Sequence, residues 1–392
     1  MSSGSGNSSL FDRFEVDTKK KYGEGGYGQT FAARDKQSGE ALACKIIDTR
    51  RMKQEAIAKE CKILEVLTHA NVISVKAHGL GAGRHEHLYF IFMELAGGGE
   101  LFDQVIDRGA NAMSEQIARN FFCQMLDGLA YCHLAGVAHR DLKLENVLLN
   151  EAGVVKLIDF GLSHVYPRGA DGILDRSRPL RDVCGSKSYA APEVFAGHGY
   201  DGFAADMWSL GVCLFAMLSG FFPLDEATAN DWRYPKLVEA QRGGRSTTAV
   251  VYAWYKRSCK HLSPEVIHLL DSLLRVDPNT RLTMADTRDH PWVQGTKFGG
   301  VATDAGGAYN AAGELSEEPT YRGITGAGYG HGEDVVMDED EMPVYRSLAA
   351  GLDGAGDAPD AALPGLKRQK AAMDLKAAND DAESLDLADM FA

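Results

Sequence analysis

The sequence predicts an α+β fold of two unequal lobes, a small β-rich one followed by a larger helical one. Three observations carry that reading. Short apolar, β-branched segments separated by turn residues fill residues 11–95. Helical periodicity takes over from residue 113, and both signals stop near Gly295. With 45% hydrophobic and 24% charged residues in 392, the chain has a globular composition, which excludes a wholly disordered, collagen-like or coiled-coil protein.

Taken in order, residues 1–10 are Ser/Gly-rich and are expected to be disordered. Residues 29–33 and 41–47 read as strands flanking a turn at Gln37, Ser38 and Gly39, which predicts a hairpin. Ile57, Cys61, Leu64 and Leu67 recur at spacings of three and four and predict a helix; residues 88–93 form another apolar strand. A long helix is predicted over residues 113–134, with Ser114 as its N-cap. Residues 206–218 are apolar on nearly every side, as a helix buried all round should be. Residues 225–262 carry Trp232, Tyr234, Tyr252, Trp254 and Tyr255, read as packing for an additional helix, with partner docking as the alternative.

The net charge of −14 argues against nucleic acid as the main partner, because phosphate binding needs a basic surface. Residues 296–392 hold 19 acids against 7 bases, so −12 of that charge lies in a Gly/Ala-rich stretch expected to be a flexible acidic tail. No stretch reads as a membrane span, and the start has no charged segment leading into an apolar core. Ser2 excludes N-myristoylation. Seven cysteines without a CxxC pair suggest reduced thiols and a cytoplasmic protein, with Lys367, Arg368 and Lys370 as a short patch compatible with nuclear import. A monomer is expected.

Three motifs carry chemistry. Gly23-Glu24-Gly25-Gly26-Tyr27-Gly28 is a GxGxxG followed by a strand rather than a helix. That context favours a hairpin lying over phosphates and disfavours a dinucleotide site. Lys45 stands in an apolar strand fifteen residues before Glu60 on the first helix, and a lysine on a buried strand needs such an acid. The third is His139-Arg140-Asp141-Leu142-Lys143-Leu144-Glu145-Asn146, then Asp159-Phe160-Gly161, then Ala191-Pro192-Glu193.

In this order the motifs resemble those of the protein kinase family, from Phe11 to Val293. The resemblance implies a bilobal kinase fold, with an N-lobe over residues 11–95 and a C-lobe over 96–295. It also implies ATP and Mg²⁺ as cofactors and protein Ser/Thr as acceptor. By the same resemblance Asp141 is the catalytic base, Lys143 contacts the transferring phosphate, Lys45 holds the α/β-phosphates steadied by Glu60, and Asn146 and Asp159 are the metal ligands. Gly23, Gly25, Gly26 and Gly28 would cover the phosphates. Thr30 and Ala43 would pack above the adenine and Leu148 below it, with Met93 as gatekeeper and Glu94 to Ala96 as hinge. Thr30 replaces the usual valine and brings a hydroxyl. Asp206 would anchor the catalytic loop and Glu193 would pair with Arg281.

Residues 97–103 with Cys184-Gly185-Ser186 resemble the calcium/calmodulin-dependent-kinase-like group, in its AMP-activated-kinase-like and checkpoint-kinase-like branch. Glu100, which the resemblance also counts among the nucleotide-binding residues, and Glu145 lie where members of that group attract an arginine upstream of the phosphoacceptor. Asp182 occupies the position of a common activation-loop threonine; its carboxylate could pair with Arg140, or simply be a solvated acid. Ser177 is an alternative phosphosite, and Arg322 three residues before Thr325 marks a candidate autophosphorylation site. Residues 385–391 alternate acidic and apolar side chains, a pattern suited to a partner groove or to a disordered end. Two alternatives to an active enzyme stay open: a pseudokinase scaffold, and a carrier whose acidic tail binds a regulatory protein.

Overall fold

The computed structural model describes residues 10–25, 28–107 and 113–297. A short helix α1 (Leu10–Arg13) leads into strands β1 (Phe14–Gly25), β2 (Gly28–Asp35) and β3 (Ala41–Asp48). Helix α2 (Gln54–Val66) and strands β4 (Val75–Leu80) and β5 (Leu88–Glu94) complete the first lobe. The five strands make one antiparallel sheet in the order β1-β2-β3-β5-β4.

Alternation along β3 and β5 decides what each face of this sheet does. Leu42, Cys44 and Ile46 with Phe90 and Phe92 bury one face together with Phe14, Val16 and Phe31. Ile47, Tyr89 and Ile91 point the other way and pack on Ile57 and Cys61 of α2. Lys45 shares that second face, so strand geometry alone aims it at the helix.

The second lobe contains α3 (Leu101–Asp107), α4 (Glu115–Leu134) and β6 (Val137–Ala138). The short strands β7 (Val147–Leu149), β8 (Val155–Leu157) and β9 (His164–Val165) follow. The remaining elements are α5 (Pro192–Phe195), α6 (Gly202–Ser219), α7 (Arg233–Arg242), α8 (Thr247–Trp254), α9 (Pro264–Leu273), α10 (Met284–Asp289) and α11 (Pro291–Gln294). Ser114 caps α4 as expected, its side chain accepting the Ile117 N–H. Helix α6 is the one described helix long and apolar enough to cross a membrane; 89% of that window is buried inside the fold, as befits a core helix.

The structure departs from expectation in two places. Leu10, assigned to a disordered start, opens α1 and sits against Gly79 of β4, while Phe11 meets Phe90 edge-on at 5.0 Å. Strands β1 and β4 have no counterpart among the expected strands. Both are edge strands rich in Lys, Asp and Glu or His, so their apolar alternation is too sparse to read. Residues 225–262 agree with the packing expectation, carrying two helices, α7 and α8, and packed aromatics: Trp232 lies 5.7 Å from Trp254, and Tyr255 lies 4.3 Å from Phe221. Residues 1–9 and 298–392, which include nearly all of the acidic tail, lie outside the described residues.

Candidate active site

The cleft between the lobes gathers residues from seven elements. Gly23 pairs with Thr30 and Gly25 with Gly28 across the β1–β2 hairpin, while Gly26 lies outside the described residues. Gly28 is required for close strand approach: a Cβ there would come within 2.3 Å of the Ile46 carbonyl oxygen. Ala43 pairs with Met93 across β3 and β5, and Glu100 bridges Leu148 of β7. The Glu94 side chain is committed elsewhere, accepting the Ser74 N–H at 2.8 Å and pairing with Lys156 at 2.7 Å. The Glu94 carboxylate is therefore taken up by Ser74 and Lys156.

Lys45 Nζ lies 3.5 Å from Glu60 Oε1, with Glu60 buried on α2. Burial works against the Lys45 charge, but Glu60 and then Asp159 outweigh it and hold the ammonium above the ordinary lysine range. Asp159 shows the mirror balance. Burial would raise its carboxyl, yet Lys45 and His139 keep it below the usual carboxylate range. Asp159 has φ +62°, a left-handed conformation uncommon for a residue with a Cβ, and the preceding Ile158 N–H bonds the Asn146 carbonyl at 3.0 Å. The backbone thus brings Asn146 and Asp159 side by side.

Asp141 is the most heavily held carboxylate of the cleft. Its Oδ1 accepts from the Ser186 N–H at 2.8 Å and hydroxyl at 3.0 Å. Its Oδ2 lies 2.9 Å from Lys143 Nζ and 3.2 Å from the Asn146 amide nitrogen. Lys143 also donates to Ser186 Oγ at 2.9 Å; burial opposes its charge, and Asp141 more than restores it. With the Asn146 amide nitrogen turned to Asp141, its oxygen is the hard donor it can offer a cation, and Asp159 can offer its carboxylate. The pair suits Mg²⁺, which takes one or two protein oxygens and keeps water and phosphate ligands. Among the described residues no cluster of three His, Cys, Asp or Glu side chains has metal-binding geometry, so any cation here relies on that oxygen pair and on its substrate.

Asp206 at the start of α6 fixes the loop that carries Asp141. Its two oxygens accept from the His139 N–H, the Arg140 N–H and His133 Nε2, each at 2.8 Å. His139 in turn donates Nε2–H to the Ile158 carbonyl at 3.0 Å and packs on Phe160. Arg281 and Glu193 pair in bidentate fashion at 2.6 and 2.9 Å, as expected. Arg140 donates to Tyr200 Oη at 3.1 Å, to Cys184 Sγ at 2.8 Å and, at 3.4 Å, to Asp182, whose side chain is 81% exposed. Ser177 donates its hydroxyl to Asp175 at 2.5 Å.

Two features were missed at the level of sequence. Ser186 clamps Asp141, and Glu145 is buried beneath Tyr189, whose hydroxyl donates to it at 2.8 Å. The first had a signal in Gly185, at φ +91°. A Cβ at Gly185 would lie 2.6 Å from the Arg140 carbonyl, so only glycine lets this segment press on the catalytic loop. The second had none, since burial of an acid depends on the tertiary contact.

Comparison with known proteins places this geometry in context. The protein kinase domain family matches residues 16–293. Rice (Oryza sativa subsp. japonica) CBL-interacting protein kinase 9 is 35% identical over 278 residues, covering 70% of this chain and 55% of the relative. Arabidopsis thaliana CBL-interacting serine/threonine-protein kinase 1 is 36% identical over 281 residues, covering 69% and 56%. Rice CBL-interacting protein kinase 21 is 38% identical over 275 residues, covering 69% and 47%. The chain therefore spans about half the length of these relatives.

Proposed function

The chain belongs to the protein kinase family, and from that membership we propose that it transfers the γ-phosphate of ATP to Ser or Thr hydroxyls of proteins. The observation that carries this reading is the meeting of Lys143 and Asn146 on Asp141, within 2.9 and 3.2 Å of its carboxylate, together with the Lys45–Glu60 pair and the charge interaction of Lys45 with Asp159. Phosphoryl transfer asks a protein mainly for position and charge, and these residues supply both.

In this reading Asp141 orients the acceptor hydroxyl and takes its proton. Its four hydrogen-bond donors fix the carboxylate in direction. Lys45, charged because Glu60 and Asp159 hold it so, grips the α/β-phosphates. Lys143 is placed to neutralise charge on the group in flight. Asn146 and Asp159 would hold Mg²⁺, which supplies further charge neutralisation on the phosphate oxygens. Gly23, Gly25, Gly26 and Gly28 cover the phosphates; Thr30, Ala43, Met93 and Leu148 enclose the base.

A preference for an upstream arginine rests on Glu100, half-exposed where its backbone bridges Leu148. Glu145 supports it less, being buried against Tyr189. The catalytic unit spans residues 11–295, with the acidic segment 296–392 appended as a candidate site for a regulatory protein.

Purified chain incubated with labelled ATP, Mg²⁺ and an arrayed library of Ser, Thr and Tyr peptides tests the proposal. Label is expected on Ser/Thr peptides with an arginine before the acceptor. Asp141→Asn should lower turnover by about 10²–10⁴-fold while leaving the melting curve in place. Absence of label on every acceptor would leave the scaffold reading in its stead.

A further inference from the structure

The segment that follows Ser186 is anchored at both ends. Ser186 gives its N–H and hydroxyl to Asp141; Tyr189 donates its hydroxyl to Glu145 and accepts the Ser209 hydroxyl at its carbonyl. Between these anchors Lys187 and Ser188 lean on a different part of the chain. Lys187 Nζ pairs with Glu226 Oε2 at 3.0 Å, and the Ser188 hydroxyl donates to the Asp225 carbonyl at 3.2 Å. Residues 225–226 are thus a shelf under the two residues that adjoin the Asp141 clamp.

The shelf needs support of its own, because Asp225 and Glu226 lie outside any helix or strand. Their N–H groups both point at one oxygen of Asp231, at 2.8 and 3.4 Å. Asp231 is buried, and Arg233 grips both of its oxygens, through Nε at 2.8 Å and Nη2 at 2.7 Å. Burial would raise the Asp231 carboxyl, yet Arg233 holds it below the usual carboxylate range. Arg233 Nη2 also pairs with the Asp225 carboxylate at 2.8 Å. The free corner of the guanidinium fork goes to Tyr255, whose hydroxyl accepts from Nη1 at 2.6 Å and donates to the Phe222 carbonyl at 3.4 Å. Tyr255 closes α8, and its ring packs on Phe221 at 4.3 Å. A line of polar contacts therefore runs from the end of α8 to the neighbour of Ser186. Among the described residues none of its members bonds Lys45, Asn146 or Asp159.

We propose that Arg233 and Tyr255 are positioning residues for the protein acceptor: through Asp231 they fix residues 225–226, and with them the surface of Lys187 and Ser188 that an acceptor segment meets beside Asp141. This rests on the phosphoryl-transfer reading above and gives α7 and α8 a part in it. A surface fixed in advance spares the incoming segment the cost of ordering it, so the benefit falls on the acceptor and not on ATP.

Tyr255→Phe removes one hydroxyl, keeps the ring on Phe221 and leaves Arg233 on both acids. With the full chain, kcat/KM for an acceptor peptide should fall about threefold to tenfold while KM for ATP stays within about twofold. Arg233→Lys, which keeps the charge and loses the fork, should cost more on the same side. An unchanged peptide kcat/KM in both variants, or a matching rise in KM for ATP, overturns the proposal. A general weakening of the fold is separated by a double-mutant cycle. In a chain carrying Lys187→Ala and Ser188→Ala the side-chain link to the shelf is gone, so Tyr255→Phe should cost less than about 1.5-fold there. Equal losses in the two backgrounds make Tyr255 merely structural and overturn the proposal. Amide hydrogen exchange supplies a readout without turnover. Tyr255→Phe should speed exchange of the bonded Ser186, Tyr189 and Ala190 amides at least about threefold and leave those of His139 and Arg140, held by Asp206, unchanged. Unaltered exchange at Ser186 to Ala190 breaks the link from α8. If no form of the chain turns over, the proposed function fails, while exchange still decides whether the link exists.

Discussion

Asp182 and Gly185 show how differently two residues of one loop weigh. The Arg140 guanidinium is nearly buried and is already held by Tyr200 and Cys184, so Asp182 adds a single 3.4 Å contact from a solvated position. Exposed pairs contribute about 0–1 kcal/mol, and Asp182→Asn is expected to lower turnover no more than about fivefold, measured on protein made without any activating kinase. A larger loss would give the acid the weight of a phosphate. Gly185→Ala should act more strongly. Its Cβ would collide with the Arg140 carbonyl at a left-handed φ, pushing Ser186 off Asp141. The measurement is turnover against KM for ATP: turnover should fall by about tenfold or more while KM holds, since Ser186 touches Asp141 and Lys143, which act on the transferring group, and makes no contact with Lys45 among those described.

Among elements, α6 does the most for the site although no residue of it enters the cleft. Asp206 receives three buried donors, two of them backbone N–H groups of the loop that carries Asp141. The Arg281–Glu193 pair ties the α5 segment to the loop before α10 in the same way. Arg281 is almost fully buried, and removing one partner of such a pair leaves the other charge stranded. Arg281→Ala is therefore expected to cost about 3–5 kcal/mol in denaturant unfolding, with the slope unchanged. A cost below about 1 kcal/mol would mean that water reaches Glu193 in the native fold.

At the scale of the molecule, acid should loosen the second lobe first. His268 and His290 stack at 5.2 Å, with His290 Nε2 and His268 Nδ1 2.9 Å apart, and His290 Nδ1 accepts the Trp292 N–H. Burial, and then His268, hold His290 down to about 4, while burial and Arg275 also lower His268. A histidine with a folded pKa below its unfolded value binds protons more readily when unfolded. Its contribution is complete above pH ~6.5 and is lost as pH falls toward 4. The melting temperature should fall across that window. His290→Asn, which keeps an N-capping side chain, should flatten the slope. An unchanged slope would place the acid sensitivity elsewhere.

What the residues dictated by themselves was the list of chemical groups and the elements that carry them. Local rules reach that far: period-two alternation aims Lys45 at α2, Ser114 caps α4, and the order of motifs names the cleft. The edge strands β1 and β4 escaped because half of a solvated edge carries no apolar signal. Burial and pairing at a distance were decided only by the folded chain. Glu145 and Glu100 are both glutamates beside motifs, yet one lies sealed under Tyr189 and the other is half-exposed where its backbone bridges Leu148. The shelf under Lys187 and Ser188 exists because two distant stretches of chain meet there, and the environment of a side chain is a property of everything packed around it.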